Sequence, residues 1–162
     1  ERVIVIGAGN AAMDVARTAM RKGVRYLQCF SRDASVAASK SEFDYAVLEG
    51  VEFVYGKIPV EITDEGVIFA DAGETKGTEK LYPADSVIVS ISQGPRNQLV
   101  RTTRGLDADA CGLLVTDDSG HTSRPEIFAS GDVVNGARTV VEAVAHSKKV
   151  AEAMDLYMKK TM

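Results

Sequence analysis

Residues 3–12 leave a chain few choices. Val3, Ile4, Val5 and Ile6 form an unbroken β-branched run, and Gly7-Ala8-Gly9-Asn10-Ala11-Ala12 follows at once. An apolar run without polar alternation reads as a strand buried on both faces. Residues 10–22 then place Ala12, Val15, Ala16 and Ala19 on one helical face, and Gly23 ends the pattern. Residues 26–30 form a second strand. Strand, tight turn, helix and strand in this order imply a right-handed crossover and a parallel sheet.

The spacing Gly7-x-Gly9-x-x-Ala12 gives the turn a chemical meaning. Gly7 permits the sharp bend, Gly9 presents no side chain to an approaching pyrophosphate, and Ala12 lets the helix pack close to the sheet. The first-turn N–H groups of Asn10, Ala11 and Ala12, with the positive end of the helix dipole, suit phosphate. A glycine-rich turn can be purely structural. Here both flanking elements are present at the expected distance, so the unit reads as Rossmann-like and dinucleotide-binding.

The end of the second strand selects the coenzyme. An NAD site usually carries Asp or Glu there, to accept hydrogen bonds from the ribose. This chain has Phe30, followed by Ser31, Arg32 and Asp33. Ser31 and Arg32 can donate to a 2′-phosphate, for which the planar guanidinium is well shaped. The plainer reading of Arg32 is a solvated loop cation partly neutralised by Asp33. The expectation is NADPH over NADH, with Lys40 as a second possible phosphate contact.

Further along, residues 42–49 read as a helix and 51–55 as a strand. Residues 60–63, 67–69 and 80–82 are short strands separated by turn residues, which suggests an antiparallel meander. Residues 85–91 are another buried strand. Residues 98–110 read as loop, 112–116 and 127–130 as short strands, and 139–158 as a long helix. Val140, Ala143, Val144, Val150, Ala151 and Met154 form that helix's expected buried stripe. The fold class is α/β: a Rossmann-like parallel sheet with an antiparallel β-meander over residues 1–93, then a partial second domain over 94–162.

Composition closes off other functions. A net charge of −4 argues against nucleic acid or an anionic membrane as partner, and no apolar run is long enough to span a bilayer. Two histidines, His121 and His146, make a histidine metal site improbable. Cys29 and Cys111 are too few for an iron–sulfur cluster and form no Cys-x-x-Cys pair, and a reducing cytoplasm fits them. No side chain stands out as a general acid or base; Asp14 and Glu142 come nearest. No catalytic residue and no metal ligand is therefore assigned.

Several segments together carry a resemblance. Gly9-Asn10-Ala11-Ala12-Met13-Asp14-Val15-Ala16-Arg17, Phe30-Ser31-Arg32, Ser90-Ile91-Ser92-Gln93-Gly94-Pro95, residues 122–132 and Thr139-Val140-Val141-Glu142-Ala143-Val144 are the segments concerned. They resemble motifs of flavoproteins with two dinucleotide-binding domains, above all the small, NADPH-oxidising subunit of bacterial glutamate synthase. The resemblance departs from the pattern at Ser31, where an arginine is usual, and at Ser92, where a glycine is usual.

The resemblance implies that residues 1–93 form an NAD(P)H domain inserted into an FAD domain that resumes in 94–162. Gly131 and Asp132 would then face the ribityl or pyrophosphate part of FAD. The helix start at Thr139 and Val140 would face the flavin ring, where its dipole favours the reduced anion. Only one G-x-G-x-x-G/A occurs, whereas the resemblance requires an earlier one for FAD. The chain is therefore expected to be a fragment holding part of the FAD site and turning over little by itself. Its implied partners are the missing N-terminal FAD and iron–sulfur region of a parent protein, and a glutamate synthase large-subunit-like or other electron acceptor. The implied reaction is hydride transfer from NADPH to FAD. Parents resembling ferredoxin:NADP oxidoreductase, dienoyl-CoA reductase or dihydropyrimidine dehydrogenase remain open, as does a non-catalytic nucleotide-binding module.

Overall fold

Side chains along β1 (Arg2–Ile6) point alternately into two cores, and the first part of the molecule is built around that alternation. In chain order this part continues through α1 (Asn10–Arg21), β2 (Tyr26–Phe30), α2 (Lys40–Leu48), β3 (Glu52–Val54), β4 (Lys57–Thr63), β5 (Gly66–Asp71), β6 (Lys80–Pro83) and β7 (Ser86–Val89). The structure is a computed structural model that describes residues 1–74 and 76–161 and divides the chain into two units, Glu1–Ser92 and residues 93–162.

In the first unit β3, β2, β1 and β7 form a parallel sheet in that order. Val3 and Val5 of β1 pack with Ala12, Met13 and Ala16 of α1 and Ala46 of α2. Ile4 and Ile6 face the opposite side, against Phe30, Val67 and Phe69. That side is covered by β4, β5 and β6, an antiparallel sheet with β5 in the middle. Phe30 stacks on Phe69 with ring centroids 3.9 Å apart, and Tyr82 meets both edge-on. Each fully buried aliphatic side chain here contributes roughly 1.5–3 kcal/mol relative to exposure. The expected α/β class, parallel sheet and meander are all present, with element ends shifted by a few residues.

Pro59 explains an irregularity of β4. Proline has no N–H for the ladder, and the register of β4 against β5 shifts between Pro59 and Glu61.

The second unit contains α3 (Gln98–Thr102), α4 (Asp132–Asn135) and α5 (Val140–Thr161). Two expectations fail here. The segments expected as strands make only isolated bridges, Ala108 to Leu114, Thr116 to Thr122 and His121 to Phe128. Asp109 accepts N–H bonds from Cys111 and Leu113, and Asp117 accepts them from Ser119 and His121. Such side-chain turns offer the backbone an alternative to the ladder. Residues 98–102, read as loop, instead form the short α3.

The expected buried stripe of α5 is also mostly wrong. Val140 is 79% exposed, and Val144 and Met154 are exposed too. The inward positions are Ala143, His146, Val150, Ala153 and Tyr157, spaced alternately three and four apart. Gly120 makes this possible, because a Cβ there would lie 2.5 Å from a Val150 methyl. Val150, 4% exposed, is the anchor of the helix.

Candidate functional site

The sequence-predicted residues fall into two groups, one in each unit. The first lies at the carboxyl edge of the parallel sheet, where the chain order reverses between β1 and β7. Ligands of open α/β sheets bind at such a point.

Gly7 and Gly9 have different physical reasons to be glycine. Gly7 has φ +124°, and a Cβ on it would lie 2.2 Å from the Ser90 carbonyl oxygen, just beyond β7. Its N–H donates to the Phe30 carbonyl at 3.0 Å, so it joins the ends of β1 and β2 as well. Gly9 is ordinary extended backbone, with φ −89° and ψ −179°, and immediately precedes α1. A Cβ on Gly9 would meet no atom within 4 Å. Gly7 serves the fold, whereas Gly9 leaves space open at the start of a helix of 12 residues. Ala12 is fully buried beneath that start, while Asn10 and Ala11 are exposed.

The corner after β2 is brought against this turn. The Ala8 carbonyl accepts from the N–H groups of Ala37 and Ala38, at 2.9 and 3.0 Å. The Ser39 N–H donates to Asn10 Oδ1 at 2.8 Å. Ser31 stands at the corner but is only 6% exposed, and its hydroxyl donates to the Ser35 carbonyl at 2.9 Å. Arg32 projects outward, its side chain 73% exposed and its Nε 3.4 Å from Asp33 Oδ1. Lys40 pairs with Asp44 on its own helix. Arg32 and Lys40 thus each have a carboxylate neighbour and stay largely exposed, their side chains 73% and 86% accessible.

The second group lines a groove of about 570 Å³ whose walls include Gly131, Asp132, Thr139 and Val140. Thr139 caps α5 reciprocally. Its hydroxyl donates to Glu142 Oε2 at 2.7 Å, its N–H reaches the same oxygen, and the Glu142 N–H returns to the threonine oxygen. This is the capping-box pattern. These bonds hold the Glu142 carboxyl below the ordinary glutamate range, the Thr139 hydroxyl being the largest cause. Glu142 is thus a helix-capping group. The Gly131 N–H donates to His146 Nδ1 at 3.2 Å.

The sequence reading missed two cations of this groove, Arg138 and Lys148. Arg138 directly precedes the helix start. Lys148 follows Val140 and Val144 at successive four-residue steps, so helical spacing alone would have placed it on the same face.

The model of the pyridine nucleotide-disulphide oxidoreductase family matches residues 1–147. The chain is 31% identical to the glutamate synthase [NADPH] small chain of Escherichia coli (strain K12), over 95% of this chain and 38% of the relative. It is 32% identical to the NAD-dependent dihydropyrimidine dehydrogenase subunit PreT of the same organism, over 98% of this chain and 37% of that one. The chain thus spans well under half the length of these relatives, each of which is a chain or subunit of a larger enzyme. Among solved structures, thioredoxin reductase of T. acidophilum superposes with a TM-score of 0.79 over 99% of this chain and 53% of its own, at 23% identity. That likeness concerns the fold.

Proposed function

As the chain belongs to the pyridine nucleotide-disulphide oxidoreductase family, we propose that residues 1–92 bind NADPH and that the whole protein passes its hydride to FAD. The observation that carries the reading is the contrast within the glycine turn. Gly7 is packed against Ser90, while the equally small Gly9 faces open space at the start of α1. A folding requirement accounts for the first; a close-approaching pyrophosphate accounts for the second.

The residues fit the two groups. The N–H groups of Asn10, Ala11 and Ala12 start a 12-residue helix with no acidic side chain in its first turn, so no carboxylate competes with phosphate there. Arg32, exposed and unburied by any packing, offers its guanidinium to the 2′-phosphate, and Ser31 shapes the loop that presents it. In residues 93–162, Gly131, Asp132, Thr139 and Val140 share one groove and would hold part of the FAD. Arg138 and Lys148 bring positive charge to the same walls. When bound, the nicotinamide supplies a hydride and the flavin accepts it; the chain's own residues bind and orient. The rest of such an FAD site would come from residues outside 93–162. A further subunit or electron carrier takes the electrons, as the subunit status of the relatives suggests.

Calorimetric titration with NADPH and NADH tests the reading. The expected result is tighter binding of NADPH, by roughly tenfold or more for one charge-assisted phosphate contact, with the preference abolished in Arg32→Glu. Equal affinities would remove Arg32 from the site, and a preference for NADH would assign the corner to Asp33 instead. Binding of neither would overturn the assignment of the coenzyme site to this unit alone.

A further inference from the structure

We infer that Asn10 is a positioning residue for coenzyme choice, fastening the loop that carries Arg32 to the glycine turn. The inference rests on the NADPH reading and deepens it. Arg32 lies in the connection between β2 and α2, and its side chain is 73% exposed. Packing does not fix its direction, so the anchors of the connection must.

Those anchors are specific. Near β2 the Ser31 N–H donates to the Val54 carbonyl at 2.8 Å, and the Ser31 carbonyl accepts from the Lys57 N–H at 3.0 Å. Within the loop the Ser31 hydroxyl donates to the Ser35 carbonyl. At the far end three consecutive N–H groups, those of Ala37, Ala38 and Ser39, all turn onto the residues around Gly9. The Ala8 carbonyl takes the first two, and Asn10 Oδ1 takes the third at 2.8 Å. A backbone N–H can only donate, so the asparagine oxygen and not its nitrogen must face Ser39. Ser39 also caps α2 by accepting from the Glu42 N–H, which extends the tie to the start of that helix.

Asn10 therefore has two parts with separate tasks. Its backbone N–H belongs to the first turn of α1, where phosphate is expected. Its side chain holds the segment that presents the cation for the second phosphate. One residue thus sets the spacing between the two anion sites. Without the Asn10 acceptor the loop samples open states, and the affinity gained through Arg32 falls with the fraction of chains holding it in place. NADH makes no use of that cation, so its affinity is spared. The ratio of the two affinities therefore separates a lost clamp from a general weakening of the fold.

The test measures NADPH and NADH affinities and single-residue amide exchange in the unsubstituted chain, Asn10→Ala and Asn10→Asp. Aspartate keeps an acceptor oxygen for the Ser39 N–H, but its charge disfavours the more negative NADPH more than NADH, so the retained bond is read in this variant from amide exchange. In Asn10→Ala the NADPH:NADH affinity ratio is expected to fall about three- to tenfold, the factor one net hydrogen bond carries. The amides of residues 37–39 should exchange faster by a similar factor, while those of β1 stay protected. Asn10→Asp should keep most of the protection at residues 37–39. An unchanged ratio in Asn10→Ala overturns the inference, as does an equal loss of amide protection at residues 37–39 in the two variants. If the unsubstituted chain shows no preference, the NADPH reading falls with the specificity role, and unchanged exchange in Asn10→Ala would then remove the clamp as well.

Discussion

Substituting the two turn glycines separately divides folding from binding. In Gly7→Ala the new methyl would lie 2.2 Å from the Ser90 carbonyl oxygen and 2.8 Å from its carbon, at a φ of +124°. An L-residue held in so sparse a backbone region costs about 1–3 kcal/mol. Relieving the clash also moves the end of β7 from β1, where the Ser90 N–H donates to the Ile6 carbonyl at 2.8 Å. Losing that bond adds about 1 kcal/mol. The total of about 3 kcal/mol corresponds to a fall in Tm of about 12–24 °C for a unit of this size. Gly9→Ala meets no atom within 4 Å and keeps an ordinary φ of −89°. Its melting point should stay level or rise slightly, since alanine restricts the unfolded chain. Yet its methyl occupies the space assigned to the pyrophosphate, so NADPH affinity should drop tenfold or more. Thermal melts by circular dichroism and calorimetric titration of both variants read the two effects. A Gly9→Ala chain that melts as low as Gly7→Ala, or that binds NADPH undiminished, would refute the division.

Three other outcomes are expected. Arg21 first, and Arg17 after it, hold the Glu49 carboxyl below its ordinary range through hydrogen bonds from α1 to the residue that ends α2. A carboxylate with a lowered folded value contributes stability that is complete above the ordinary glutamate range and is lost as pH falls through the lowered value. Urea midpoints measured downward from pH 6 should show this loss, and Glu49→Gln should flatten it. Burial pushes the Cys29 thiol up to about 12, whereas Cys111 is exposed. A chromogenic thiol reagent at pH 8 should therefore modify Cys111 alone in the folded chain, and both cysteines in denaturant. Val150→Ala should destabilise residues 93–162 by about 1.5 kcal/mol, at roughly 0.8 kcal/mol per buried methyl group. Val140→Ala, at a position 79% exposed, should change the melting point little, and an equal effect of the two would contradict the observed facing of α5.

What the sequence determined by itself is the part ruled by local sterics and short periods. The run from Val3 to Ile6, the glycine spacing and the apolar face of residues 10–22 can satisfy their backbone and bury their side chains in few ways. They led directly to β1, α1, β2 and the parallel sheet. The shape of the glycine turn was equally legible, because a sharp turn into a closely packed helix needs small residues at fixed steps.

Other features depended on what packs against what. Helix α5 carries a broad apolar arc, with Val140 and Val144 toward one edge and Val150 and Ala153 toward the other. Periodicity marks both edges as apolar and cannot rank them. Gly120, some thirty residues earlier, decides the matter by letting Val150 approach. In the same way Ser31 and Arg32 look like equivalent donors in the sequence. Only the path of the folded loop turns the serine hydroxyl inward to Ser35 and leaves the guanidinium outside. The pairing of Asn10 with Ser39 joins residues 29 positions apart. No local period links them, so the fold alone could bring them together.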